Sequence, residues 1–256
     1  MNFDWLLAGS EGKAKKAANE AAALTPEEEC ATFVLPEGYV AELVADEPLV
    51  QEPVLAVWDG NGAMYVAERR SYMQDEAGTG TKTLRNGRIK RLTSSKGDGI
   101  MVKATIFADG LNLPCMILPL NDGIAVVETD SSKVWKFRDT NGDGVADEKT
   151  VLFPGKDRDP SRSVEHQDGG LDWNIDNWIN VSSAHERYRF TDGTWRAEPI
   201  PSIWSQWGLT HDDEGRVFYS ENSTPFRGVL QPRNSWALIA RRGAPMRLRS
   251  GNRARR

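Results

Sequence analysis

The sequence predicts an all-β fold, an incomplete β-propeller of about three to four blades behind a short helical N-terminal segment. Three observations carry that expectation. Nine Trp, 23 Gly and 13 Pro in 256 residues favour a strand-and-turn chain over a helical bundle. An apolar pair, then Asp or Asn in a tight turn, usually with Gly, then a β-branched or aromatic run, recurs at 57–66, 120–127, 171–181 and 209–219. Each copy reads as a strand–turn–strand hairpin. Finally, Asp139-Thr-Asn-Gly-Asp-Gly-Val-Ala-Asp147 has a faded copy about 45 residues upstream, Ser94-Ser-Lys-Gly-Asp-Gly99. Repeats at such intervals are what propeller blades produce. A β-sandwich is the competing architecture.

Taken in order, residues 10–24 are Ala-rich and suit an exposed helix. Thr25-Pro-Glu-Glu28 is a capping box with Pro at the first helical position, so a short second helix follows. Beyond Leu35-Pro-Glu-Gly38 the texture changes. Tyr39 to Val44 alternates like a strand, and strand and turn signals continue to about residue 226, with insertions such as Gln74 to Asn86. The expected organisation is a helical extension over 1–34, a partial propeller over 35–228 and a disordered Arg-rich tail over 229–256.

Charge sharpens that division. Residues 233–256 hold eight Arg and no acid, so of the net −5 the rest of the chain carries −13. An acidic body argues against a nucleic-acid binder. The tail reads as a disordered end or a reading-frame artefact after about Gly228, with a nucleic-acid or membrane-binding arm as the alternative. No apolar run approaches the ~20 residues that span a bilayer. The segment Met1 to Ala8 lacks a basic leader and a long apolar core, so the chain as it stands is expected to be soluble and unexported. Cys30 and Cys115 either pair or stay as two free thiols. With no C-x-x-C-H, this chain offers no c-type haem site.

The strongest metal signal is the loop at Asp139. Side-chain oxygens fall at Asp139, Asn141, Asp143 and Asp147, and Val145 completes the candidate ligand set. Calcium takes six to eight oxygens from a flexible loop, and alternate spacing points them at one centre. The twelfth position, Thr150, lacks the bidentate Glu of an EF-hand. The competing reading is a plain Asp/Gly hairpin turn. The upstream copy, with Ser94, Lys96 and Val102 at ligand positions, is expected to be metal-free.

Three His are present. His166 lies in Val-Glu-His-Gln-Asp-Gly-Gly-Leu-Asp-Trp173, just before an expected strand, with Glu165, Asp168 and Asp172 near enough in sequence to orient the ring. That suits a general base, against the plainer reading of a surface turn histidine. His185 and His211 carry weaker versions of the argument. Glu68, Arg69 and Arg70 follow the strand Met64 to Val66, where a loop could carry binding residues; a solvated charge cluster is the ordinary alternative. Trp173, Trp178, Trp195, Trp204 and Trp207 either line a sugar-binding cleft or pack between blades. Asn180-Val-Ser182 and Asn222-Ser-Thr224 are formal glycosylation sequons.

Several segments together resemble a known family. Thr25-Pro-Glu-Glu28, Leu35-Pro-Glu-Gly-Tyr39, Ala45-Asp-Glu-Pro-Leu-Val50, Met64-Tyr-Val-Ala-Glu68, Ser71-Tyr72, Gly87-Arg-Ile-Lys-Arg-Leu92, Phe107-Ala-Asp-Gly-Leu111 and Asp139 to Gly144 follow its order. The family is that of the membrane-bound dehydrogenase propellers of planctomycetes and verrucomicrobia, haem-binding C-x-x-C-H type proteins related to glucose/sorbosone dehydrogenases. The resemblance covers about residues 24–228. It implies a quinone-dependent sugar or alcohol dehydrogenase using pyrroloquinoline quinone, a cytochrome c electron acceptor and a periplasmic or cell-surface location. His166-Gln-Asp-Gly-Gly-Leu171 is similar to the H-x-x-G-x-L segment whose His removes the substrate proton. Glu68, Arg69 and Asp168 are then the candidate substrate-binding residues. The chain departs from the family in its turn Asn174-Ile-Asp-Asn177 and in lacking later-blade Arg and Lys that bind the quinone, so it looks truncated. The alternative is a non-catalytic propeller that binds carbohydrate or a protein partner.

Overall fold

Each apolar-pair hairpin of the sequence becomes the opening pair of one antiparallel sheet. The computed structural model describes residues 23–81, 83–155, 163–164, 169–182, 184, 186–200, 205–206 and 208–229. Two compact units divide the chain at Val44/Ala45. The first contains helix α1 (Pro26–Thr32). Thr25 Oγ1 accepts the Glu28 N–H and Glu28 Oε2 accepts the Thr25 N–H, so the expected capping box forms. Residues 39–44 form no strand, which corrects the expectation there. Their alternation finds no neighbouring strand among the described residues, and alternation alone does not make a ladder. The Ala-rich helix expected over 10–24 lies almost wholly outside the described residues, as does the tail from residue 230.

The second unit is built of antiparallel meanders. The first sheet is β1 (Pro53–Trp58), β2 (Met64–Glu68), β3 (Gly87–Thr93) and β4 (Lys103–Leu111), in that order. The second is β5 (Pro114–Leu120), β6 (Gly123–Glu128), β7 (Val134–Arg138) and β8 (Glu148–Phe153). The third is β9 (Leu171–Trp173), β10 (Ile179–Val181), β11 (Glu186–Thr191) and β12 (Thr194–Pro199). The fourth has three strands, β13 (Leu209–His211), β14 (Val217–Glu221) and β15 (Thr224–Gly228). The first strands lie side by side across the sheets: β5 against β1 and β9, and β9 against β13. Four meanders whose first strands gather on one side are the blades of an incomplete β-propeller.

Packing explains the apolar runs. On β6, Ile124 and Val126 point toward the first sheet and join Tyr65, Ile89, Phe107, Ile117 and Phe137. Ala125 and Val127 point the other way and join Phe153, Leu171, Ile179 and Tyr188 of the second and third sheets. A strand covered on both faces reads as a continuous apolar run rather than an alternation. An aromatic seam closes the second junction. Phe153 stacks on Tyr188 at 3.9 Å and meets Trp195 edge-on at 5.0 Å. Trp195 therefore packs between sheets, the plainer of the two expectations for the tryptophans, while Trp204 and Trp207 lie outside the described residues. The first junction is tight at Gly87, where an added Cβ would lie 2.5 Å from Pro114 Cδ and 2.9 Å from the Leu111 carbonyl oxygen.

Among the described residues no helix is long and apolar enough to cross a membrane. Cys30 and Cys115 are free thiols. Asn180 of the first sequon is 4% exposed, which leaves no room for a glycan.

Candidate functional site

In an up-and-down meander the turns after the first and third strands share one end, and those after the second strand share the other. The Asp139 loop joins β7 to β8 and its faded copy joins β3 to β4, so the repeat seen in the sequence marks equivalent turns of successive blades. At this end the turns 59–61 and 121–123, with Tyr65, Arg91 and part of the Asp139 loop, line a cleft of about 630 Å³ between the first two sheets. Its carboxylates already have partners. Asp59 Oδ1 accepts the Asn61 and Ala63 N–H groups. Asp122 takes Lys136 and Arg138, and the Lys136 hydrogen bond holds its carboxyl below the usual range. Burial pushes the Tyr65 hydroxyl up, against the opposing pull of its hydrogen bond to Arg91.

The Asp139 loop closes on itself. Asp139 accepts the Gly142 N–H through Oδ1 and the Gly144 N–H through Oδ2. Asn141 Oδ1 accepts from Asp143 N–H, and Asp143 Oδ1 from Val145 N–H. Asp147 turns to Thr140, accepting its N–H and its hydroxyl, and those two bonds hold its carboxyl below the usual range. Among the described residues no three His, Cys, Asp or Glu side chains gather into a set that could hold a metal. The donor chemistry still suits calcium, since a carboxylate or amide oxygen accepting one N–H retains a second lone pair. Asp147 would have to leave Thr140 to join.

At the opposite end, the second strands finish in acceptors that the sequence did not advertise as a set. Glu68 Oε1 accepts the Gln51 N–H at 2.8 Å, Glu128 Oε2 the Asn112 N–H at 2.8 Å, and Ser182 Oγ the Gly169 and Gly170 N–H groups at 2.9 Å. Gln51, Asn112 and Gly169 each stand two residues ahead of their sheet's first strand. One side chain thus ties the entrance of the first strand to the exit of the second in three successive blades. The legible signal was a Glu closing an apolar second strand, in Met64 to Glu68 and Ala125 to Glu128.

These bonds place the candidate binding residues. Glu68 is fully buried and pairs with Lys90 at 3.1 Å, and Lys90 also donates to the Leu49 and Pro48 carbonyls. Arg69, 7% exposed, donates to Thr129 Oγ1 of the second sheet and lies over the Tyr72 ring. Both side chains hold the fold in their described contacts. His166 and Asp168, the other two candidates, lie outside the described residues, as does His185. Gly169 and Gly170, however, are fixed on Ser182, and Leu171 opens β9 directly behind them.

A further histidine pair crosses the third junction. His211 Nδ1 lies 2.7 Å from Asp172 Oδ1, linking β13 to β9. The sequence suggested Asp172 as a partner for His166, which lies outside the described residues; among the described residues its Oδ1 is against His211 and its Oδ2 accepts from Asn180 Nδ2 at 3.3 Å. Strand adjacency between residues 39 apart is invisible in the sequence.

The chain belongs to the family described as "Domain of unknown function (DUF7133)", whose model matches residues 25–251. No curated protein matches it in sequence. Among solved structures it is similar to a gluconolactonase from Xanthomonas campestris, at 17% identity and TM-score 0.47, over 73% of this chain and 59% of that one. It is similar to the PQQ domain of pyranose dehydrogenase from Coprinopsis cinerea at 13% and 0.39, over 73% and 51%. Virginiamycin B lyase from Staphylococcus aureus gives 15% and 0.39, over 73% and 58%. The chain spans less than two thirds of each of these structures.

Proposed function

We propose that this chain is part of a dehydrogenase-like propeller acting on a sugar or alcohol. One observation supports the reading more than any other. Gly169 and Gly170, which close the His166-to-Leu171 motif, donate to Ser182 immediately ahead of β9, one of the first strands that lie side by side. The task proposed for His166, three residues ahead of Gly169 in sequence, is to accept the carbinol proton. Asp168 would hold a substrate hydroxyl. Glu68 and Arg69 serve from behind by fixing the ends of the second strands. The resemblance to haem-linked dehydrogenase propellers supports a cytochrome c acceptor and a periplasmic or cell-surface location.

Pyrroloquinoline quinone would supply the hydride acceptor. Its fit is poor among the described residues, because the buried cations near the first strands, Arg69 and Lys90, are committed to Thr129 and Glu68. Calcium belongs to the proposal as a structural ion on the Asp139 loop. Reconstitution with calcium and the quinone, followed by a dye-linked assay on aldoses, tests the reading. Turnover abolished by His166→Ala supports it, and absence of quinone binding ends the enzyme reading for this chain.

The cleft between the first two sheets favours a second reading. At about 630 Å³ and lined by polar turns, it has the size of a small-molecule site and would suit a carbohydrate bound without turnover. Sugar binding that survives His166→Ala, with no oxidation, selects it.

A further inference from the structure

We infer that Asp172 and His211 form a second proton-accepting site, at the junction of the third and fourth sheets, that takes a hydroxyl-bearing small molecule. The pair itself is read from geometry alone; the ligand class rests on the sugar or alcohol reading above.

The argument begins with the ring's tautomer. Asp172 is 7% exposed and sits 2.7 Å from His211 Nδ1. A carboxylate only accepts, so in the neutral ring Nδ1 carries the proton and Nε2 is left with a lone pair. Asp172 is held in turn by Asn180, itself 4% exposed, through the other carboxylate oxygen. A base whose ring is oriented by a third group, itself anchored, is the arrangement that proton transfer requires. The His211 side chain is 23% exposed, so part of the ring meets solvent.

A second acceptor crosses the same junction. Asn174, two residues along from Asp172 and 4% exposed, donates through Nδ2 to the Gly215 carbonyl in the turn that follows His211. That bond fixes the amide's orientation, and its Oδ1 is buried with no hydrogen-bond partner. A buried acceptor without a donor is costly. Asn174 Oδ1 is sealed from solvent, so the acceptor offered to a ligand is His211 Nε2, and a hydroxyl group supplies a donor to it while an anion does not. A ligand O–H donates to Nε2. Transfer of that proton leaves an alkoxide and an imidazolium whose Nδ1–H remains on the Asp172 carboxylate, which balances the new charge.

The test turns on the tautomer. In Asp172→Asn the new amide must face Asn180 Nδ2 with its oxygen, which turns its NH2 toward His211 Nδ1 and drives the ring proton to Nε2. Diethyl pyrocarbonate, which labels the unprotonated ring nitrogen, is followed at His211 by peptide mapping, with long-range proton–nitrogen NMR reading the tautomer. We expect labelling of wild-type His211, slowing of at least about tenfold in Asp172→Asn as the tautomer inverts, and protection by excess D-glucose or glycerol. Equal rates in the two proteins, or an Nε2–H tautomer in the wild type, would reduce the pair to a clamp between sheets. Labelling without protection by either polyol would overturn the ligand class. None of these readouts needs turnover or quinone, so failure of the dehydrogenase reading leaves them interpretable.

Discussion

Glu68→Ala should be among the most damaging single substitutions in the second unit. Glu68 is 0% exposed, and its Oε1 serves both Lys90 Nζ and the Gln51 N–H. Removing one partner of a buried ion pair costs about 3–5 kcal/mol because the other charge is left uncompensated. Lys90 keeps the Leu49 and Pro48 carbonyls, which places its share near about 3 kcal/mol. Gln51 is only half-buried, so its N–H can regain water and adds about 1 kcal/mol. The total of about 4 kcal/mol should lower the melting temperature by roughly 8–16 °C for a unit of this size. Glu128→Ala provides the internal scale. Its cation, Lys149, is 39% exposed and rehydrates, leaving mainly the buried Asn112 N–H, for about 2 kcal/mol. Urea unfolding of both variants, and of Glu68→Ala combined with Lys90→Met, decides the matter. Removing both partners should restore about half of the loss. If the double variant recovers nothing, or if Glu68→Ala costs under about 1 kcal/mol, the ion pair does not do what its burial implies.

Four further outcomes follow from the same contacts. Calcium at 1 mM should stabilise the second unit by about 0.4–1.4 kcal/mol if the loop binds with the millimolar to tenth-millimolar affinity of weak calcium modules, and Asp143→Ala should remove the effect; calorimetry showing no calcium shift in the wild type sinks the ion. Ser94 hydrogen-bonds Asp98 and holds its carboxyl below the ordinary value. Such a group lends stability above its ordinary pKa and loses it as pH falls through the depressed one, so Ser94→Ala should move the Asp98 NMR titration upward and bring the acid-side loss to higher pH. Tyr188 is pushed from 10.0 to about 12, first by burial and then by Glu186. Its stabilising contribution is complete below about 10 and disappears as pH rises through about 12; ultraviolet titration should show a late-titrating tyrosine component that Glu186→Gln moves earlier. Gly87→Ala should cost about 1–3 kcal/mol, because the added methyl meets Pro114 and the Leu111 carbonyl, and a neutral thermal melt would show that the junction yields.

The sequence by itself determined what repeats along the chain. The four hairpins, the capping box at Thr25 and the Asp139 turn with its copy at Ser94 were all readable, because turn chemistry and strand composition act over a few residues. Tyr39 to Val44 shows the limit of that reading: alternation was present, but a strand needs a partner and none is found among the described residues. Only the tertiary structure decided what lies across the sheets. It buried Glu68 on Lys90, although the sequence offered a loop-borne charge, and it set Asp172 against His211, 39 residues away. It also turned Asn174 toward Gly215, 41 residues away. Such pairings depend on which strands become neighbours when successive meanders stack, and that is fixed by the packing of two faces at once, not by any one segment's residues.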